Sequence, residues 1–439
     1  MKKTLILAVA AAVCVAFSGP AMADLKVGGK ICFDTYMQSF DDTYMGKSDT
    51  DPDITDFSET GFENNSSTNL NVRWTDGNFG MYLELAMGSN NDQGILQATR
   101  GTVQPVDNVF TRYSYGWWDF GAGKLTVGQD NTGFSPLVPM QMCGTGSGQF
   151  KIIGIGFGDI YSGRVYQVRT DFKLGETGSL GIALVDPHGS SLAQGLYLDN
   201  NGTEPHPVWQ YQITPAGNEE TTMPRIDISA VLKFGPVSVY PGLLYNKKTW
   251  DDVPAGQDDT ITTSLYSLGV KYATGPFGVA AEYTAGKNPG DADLLTDGTY
   301  FGYGSGTPFP ALIPPGVFGT GFDMAAVVDS TGKVSDTDFS GYWVDLSYKF
   351  GYNTIHAMYG QQSIENDSVP YLPFLGPNDL KMENTRTWMG FNAWIPLSKH
   401  MIVIPEVNIW NYGDRQIEGF DDAELGKATL YGIGWLFIF

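Results

Sequence analysis

The rhythm of the connections narrows the possible folds more than any other feature of this chain. About sixteen runs of residues with period-two alternation are bounded by turn formers. Between them, tight turns rich in Gly, Pro and Asp alternate with long polar segments. The tight turns fall at 75–79, 119–121, 175–178, 235–236, 274–276, 351–352 and 396–399. The long segments are 41–66, 89–107, 131–163, 187–224, 247–262, 287–340, 362–386 and 412–427. Seven short and eight long connections in alternation suit an even-stranded up-and-down sheet closed on itself, with both chain ends on one side. A β-sandwich would mix Greek-key connections among them.

Strand length and facing agree with a barrel in a membrane. Ten residues at about 3.3 Å each, tilted by about 40°, cover roughly 25 Å, the height of the apolar band of an outer-membrane barrel. In 341–350, Tyr342, Val344, Leu346 and Tyr348 share one face, and Trp343, Asp345, Ser347 and Lys349 the other. The last strand is the most lopsided, with Tyr431, Ile433, Trp435, Phe437 and Phe439 on one face and Gly432 and Gly434 between them. A soluble β-domain could bury such a strand, but with fifteen partners and alternating connections its ring-rich face is expected to meet lipid. Pro241 and Pro405 lack a ladder donor inside predicted strands and are expected to mark bulges.

The amino terminus points out of the cytoplasm. Lys2 and Lys3 precede an apolar run from Leu5 to Phe17, and Ala-Met-Ala23 supplies a small-X-small end before Asp24. This is the pattern of a secretory signal peptide over residues 1–23, leaving 24–439 as the barrel domain. The run is too short to span a bilayer, and nowhere does the chain carry the roughly 20 apolar residues of a spanning helix. Removing Lys2 and Lys3 takes the formal charge from −22 to −24. That balance argues against nucleic acid, whose phosphates need clustered Lys and Arg. Gly (55), Phe (25), Tyr (23) and Trp (10) at a mean hydropathy of −0.15 suit an apolar exterior around a polar interior.

With these residues in view, the whole chain resembles the bacterial outer-membrane porin family, the trimeric sixteen-stranded diffusion channels. The likeness lies in the leader, the eight long loops and the aromatic-alternating strand that ends in Phe439. It implies an all-β, transmembrane, antiparallel up-and-down β-barrel of about sixteen strands with a constriction loop folded into the lumen. It also implies passive diffusion of small hydrophilic solutes and ions, and a homotrimer. The implied surroundings are outer-membrane lipid and lipopolysaccharide, with periplasmic chaperones and the barrel-insertion machinery as assembly partners. That machinery would read Tyr431, Ile433, Trp435, Phe437 and Phe439. A substrate-selective outer-membrane channel is the alternative reading.

In the family the loop between strands five and six narrows the pore, which here corresponds to 131–163. That segment carries one acid, Asp159, and one base, Lys151, whereas 41–66 carries eight acids. Its Phe134, Met140, Phe157 and the tract Ile152-Ile-Gly-Ile-Gly-Phe157 suit a loop packed against a wall. Inward positions of the early strands supply Lys30, Arg73, Arg112, Lys124 and Arg169 against Asp34 and Glu84. Later strands add the acids Glu282, Asp345 and Glu406. Charge along a narrow pore selects ions by sign. The family opposes a basic wall to acids on the loop, and this loop nearly lacks them.

Cys32 shares the inward face with Lys30 and Asp34, and Cys143 lies in the predicted constriction loop. In an oxidising periplasm their pairing would pin the loop to the first strand. The acidic stretches 41–63 and 414–424 have carboxylate oxygens suited to Ca²⁺ but not the spacing of a dedicated loop, and read as solvated charge. No metal or other cofactor is expected. His188, His206, His356 and His400 lie in unrelated segments, and Gly154-Ile-Gly-Phe-Gly158 precedes no helix, so no enzyme motif assembles.

Overall fold

The computed structural model describes residues 24–43, 55–64, 67–89, 107–141, 157–160, 164–187, 215, 218–292, 294, 324–328, 331–370, 379–419 and 422–439. β1 spans Asp24–Phe40. β2 comes in two stretches, Phe57–Asn64 and Asn69–Asp76, and is followed by β3, Phe79–Ser89. Next come β4 (Asp107–Asp119), β5 (Gly123–Asn131), β6 (Arg164–Lys173) and β7 (Gly178–Val185). β8 (Arg225–Phe234), β9 (Val237–Asp251), β10 (Thr260–Thr274) and β11 (Phe277–Lys287) follow. The ring continues through β12 (Thr337–Phe350), β13 (Asn353–Pro370), β14 (Asp379–Ser398) and β15 (Met401–Asn411) to β16 (Lys427–Ile438).

Each strand pairs antiparallel with its neighbours in sequence. The ring closes where β16 meets β1, from Lys30 opposite Ile438 to Phe40 opposite Ala428. Past the last strand, Phe439 exchanges two backbone hydrogen bonds with Gly29, at 3.1 and 3.2 Å. A closed sheet leaves no edge, so every backbone group at membrane depth has a partner within the wall. Four hairpins turn on Gly77, Gly235, Gly275 and Gly351, with φ between 55° and 61°. The residue after each glycine is not left-handed, which is the II′ pattern that demands glycine in first position.

The period-two facing is regular. On β16 the buried Ala428, Leu430 and Leu436 look inward, and Tyr431, Ile433, Trp435 and Phe437 look outward. On β12 the buried Trp343 and Asp345 alternate with the outward Tyr342 and Leu346.

Three details differ from the sequence reading. Residues 57–64, expected in a loop, pair with Phe33–Phe40 of β1. They lack apolar alternation, yet β1 continues past the membrane band and offers them an open ladder. β13 and β14 also run beyond their predicted ends, to Pro370 and from Asp379. Their outward side chains there are polar, and Lys381 is ion-paired to Glu365 and Glu383. Pro241 and Pro405 make no bulge. Ser229 opposite Gly242 and Leu232 opposite Val239 keep one register, as do Asn392 opposite Glu406 and Ile395 opposite Val403. Each proline interrupts its ladder on one side only. The register shifts occur instead at Glu84/Leu85, Asn366/Val369 and Pro396/Ser398.

Candidate functional site

The inward faces of β1–β6 form one wall of the lumen. Lys30, Arg73 and Lys124 make no ion pair among the described residues, and Arg73 is exposed. Arg112 pairs with Glu84 at 3.0 Å, and Arg169 with Asp171 at 2.6 Å. Asp34 and Cys32 face inward from β1 and are buried, and Cys32 forms no disulfide among the described residues. Cys143 and Lys151 lie outside the described residues.

This wall carries rings that charge counting did not find. Tyr82 of β3 and Tyr113, Tyr115 and Trp117 of β4 are half-buried, with successive ring centroids 5.6 to 6.4 Å apart. Arg73 lies 5.1 Å over the Trp117 ring, and Arg164 5.1 Å over Tyr113. The register shift at Glu84/Leu85 opposes two β4 residues to one step of β3, so Arg112 joins Tyr113 on the inner side. The inward rings Tyr113, Tyr115 and Trp117 were visible in the sequence as a period-two run. The usual outward placing of aromatics on such barrels hides them.

The opposite wall, β8–β15, carries four further inward acids, which are buried. Asp227, Glu282, Asp345 and Glu406 are each no more than 3% exposed. Residues 132–141, from the connection after β5, run along this wall. Ser135 Oγ donates to Glu282. The Met140 amide donates to Asp345 Oδ2 at 3.1 Å, and Asn392 Nδ2 donates to the Met140 carbonyl at 2.5 Å. Asn392 also donates to Glu406 Oε2 at 2.9 Å, and Asp345 holds His356 Nδ1 at 2.9 Å. Asp227 is gripped by Arg225 through two hydrogen bonds of 3.0 and 2.8 Å.

The returning stretch, 157–160, is seated by shape. Phe157 is fully buried among Tyr36, Phe40, Met358, Trp388, Trp410 and Leu430, and meets Tyr412 edge-on at 5.3 Å. Phe134 and Ile160 enter a second cluster with Leu244, Leu265, Phe339 and Ile364. Gly158 sits at φ 94° against the wall, where a Cβ would lie 2.1 Å from the Tyr342 carbonyl oxygen. Asp159 is 1% exposed, and among the described residues neither carboxylate oxygen has a well-formed hydrogen bond. This loop carboxyl is held well above the ordinary carboxylate range, by burial first and then by the nearby charge of Glu282.

A second connection, between β11 and β12, also reaches inward. Its 3₁₀ turn Pro289–Ala292 is fixed by Arg225 Nη1 donating to the Ala292 carbonyl at 2.9 Å and by Asn246 donating to the Asp291 carbonyl at 3.2 Å. Asp291 Oδ2 accepts the Ala326 amide at 2.7 Å. Ala292, Leu294 and Met324 join the cluster around Phe134, so the two loops share one apolar core. Sequence reading missed this loop, because residues 287–340 look like an ordinary polar connection apart from scattered apolar residues.

The closing-strand residues occupy the outward face. Tyr431, Ile433, Phe437 and Phe439 are exposed and Trp435 is half-buried, donating through Nε1 to Thr35 Oγ1 at 3.2 Å.

A closed sixteen-stranded barrel with a charged interior and an apolar exterior defines an outer-membrane channel. The Gram-negative porin family matches residues 8–393, and the chain belongs to that family. Among solved structures it is similar to the outer-membrane channel DcaP of Acinetobacter baumannii, at 15% identity over 96% of this chain and 99% of that one, with a TM-score of 0.55. It is also similar to the anion-selective porin from Comamonas acidovorans, at 12% identity over 95% and 100% of the chains, TM-score 0.51. The trimer form of OmpT of Vibrio cholerae gives 12% identity over 95% and 100%, TM-score 0.51. No curated protein matches the chain. The protein is thus a porin of the outer membrane that passes small solutes.

Proposed function

We propose that this porin passes small anions in preference to cations, through an opening bounded by the basic wall of β1–β6 on one side and by two lumen loops on the other. The observation that carries the reading is the unequal treatment of charge. Asp227, Glu282, Asp345 and Glu406 are buried, whereas Lys30, Arg73 and Lys124 stay unpaired on the facing wall. Fixed unpaired charge in a low-dielectric passage concentrates the opposite ion. In this reading Phe134, Met140, Phe157, Asp159 and Lys151 belong to the constriction loop, over 131–163. The test is the zero-current potential across a planar bilayer in a KCl gradient. A potential of the sign set by chloride is expected, and one set by potassium overturns the reading.

The working form is a homotrimer. Ser114 and Gly116 interrupt the apolar outward face of β4, which suits close approach of a neighbouring subunit better than lipid tails. Chemical cross-linking that yields only monomers would refute this. Residues 1–23 act as a cleaved leader. The outward residues Tyr431 to Phe439 serve as the insertion signal, so deletion of Phe439 is expected to lower outer-membrane yield. Transport needs no covalent step, since passive diffusion through the lumen forms and breaks no bond; His356 is engaged by Asp345. The pairing of Cys32 with Cys143 stays part of this proposal, and alkylation of both thiols without prior reduction counts against it.

A further inference from the structure

We propose that the ring ladder of β3 and β4, together with Arg73, forms a binding site for small aryl carboxylates in the turn-side half of the lumen. The inference rests on the anion-preferring reading above and adds a ligand class to it. Three observations converge. Arg73 is exposed and makes no ion pair among the described residues, so its guanidinium can donate to a carboxylate in the forked geometry. It is held in place by Trp117, whose indole lies against Gly80 so closely that a Cβ there would be 2.1 Å from the ring. A guanidinium fixed on an indole has less freedom to lose on binding, which makes Trp117 a positioning residue. Next along the wall stand Tyr115 and Tyr82, 5.6 Å apart at an interplanar angle of 42°.

The ring geometry selects the ligand. A pyranose binds best on flat, aligned ring faces, but the angles along this ladder run from 42° to 77°. Tilted and edge-on rings instead accommodate another aromatic ring, whose positive edge meets a negative face. A cationic ring compound would face Arg73 with like charge, while Glu84 beside the ladder is already engaged by Arg112 and by the Tyr82 hydroxyl at 2.6 Å. An aryl monocarboxylate satisfies both features at once, with its carboxylate on Arg73 and its ring against Tyr115 and Tyr82.

The experiment records single channels of the full-length protein in planar bilayers while benzoate, acetate or benzyl alcohol is added. Benzoate is expected to cause saturable current blocks, and the other two, lacking ring or charge, to cause none. Arg73→Gln is expected to weaken benzoate block about tenfold, and Tyr115→Leu roughly three- to tenfold. Arg73→Lys retains the charge and should fall between Arg73→Gln and the native protein. Lys349→Gln removes a charge from the other wall and should leave benzoate block as it was. Equal block by acetate, or equal weakening by Lys349→Gln, would reduce the ladder to general electrostatics and overturn the proposal. A channel that proves anion-preferring yet ignores benzoate refutes the ladder alone. A channel that prefers potassium refutes the reading beneath it.

Discussion

Strands β1–β6 and strands β8–β15 both turn ionisable side chains toward the barrel axis, yet the two walls use them differently. On β8–β15 the acids are structural, closing hydrogen bonds to the loops laid over them or to one another's neighbours. On β1–β6 the cations Lys30, Arg73 and Lys124 make no ion pair with a described residue and remain available to whatever passes. In the proposed reading, that difference lets a chain of charge −22 present a basic passage. The net charge counts every acid alike, whereas the field in the opening depends on which acids are left uncovered.

The most severe way to break the covered wall is to strip a buried acid of its partner. Arg225 and Asp227 are 3% and 1% exposed as side chains, and Arg225 also holds the Ala292 carbonyl of the second loop. Arg225→Ala leaves Asp227 buried without its cation, which costs about 3–5 kcal/mol. Urea unfolding in detergent should show the loss, together with a larger single-channel conductance as the turn 289–292 is released. The double variant Arg225→Leu with Asp227→Leu should recover most of the stability but not the loop contact. Recovery of both would mean that the ion pair does not hold the loop.

A milder break acts on fit alone. Gly360 of β13 has ordinary strand geometry, but a Cβ on it would lie 1.8 Å from the Phe157 carbonyl oxygen. Gly360→Ala therefore leaves the wall intact and crowds the loop, at a cost of about 1–3 kcal/mol. Conductance is expected to rise as Phe157 is lifted from Trp388 and Trp410, while cleavage of the barrel itself by protease stays as slow as before. Unchanged conductance would mean that the loop does not set the size of the opening.

Much of this contrast was written in the sequence, but not all of it in a form that local rules could read. Tight turns, strand facing and the ring-rich closing strand were legible because each depends on residues within ten positions of one another. Residues 57–64 were not, since they become a strand only because β1 extends far enough to pair with them. The inward cations were countable from alternation. Which acids would be covered was not, because Glu282 meets Ser135 across 147 positions and Asp345 meets Met140 across 205. Tyr113, Tyr115 and Trp117 went unremarked for a different reason. A shift at Glu84/Leu85 sets the face of β4, and an apolar ring on a barrel strand is by default taken to face lipid.

The smallest expected effect comes from pH, and it acts with opposite sign at two depths. Asp159, carried by the loop and buried where it meets the wall, has its carboxyl raised. The docked loop therefore binds that proton more tightly than the released loop does. Docking is fully favoured below the ordinary carboxylate value and weakens as pH rises through the raised one. Asp258, in the connection between β9 and β10, is lowered instead, by its hydrogen bond with Lys333 at 2.9 Å and then by the Val334 amide at 3.0 Å. That latch between two outer loops persists above the ordinary value and is lost as pH falls through the lowered one. Acid should thus loosen the outer latch while it seats the inner loop. Conductance measured against pH should rise toward neutrality in the native protein, lie flat at the low level in Asp159→Asn, and follow the native curve in Asp258→Asn. The Asp258 pair is exposed and screened by salt, so its loss should appear only as faster proteolysis of the 252–259 connection at low ionic strength. If Asp258→Asn instead flattened the conductance curve, the titrating gate would lie in the outer loops and not against the covered wall.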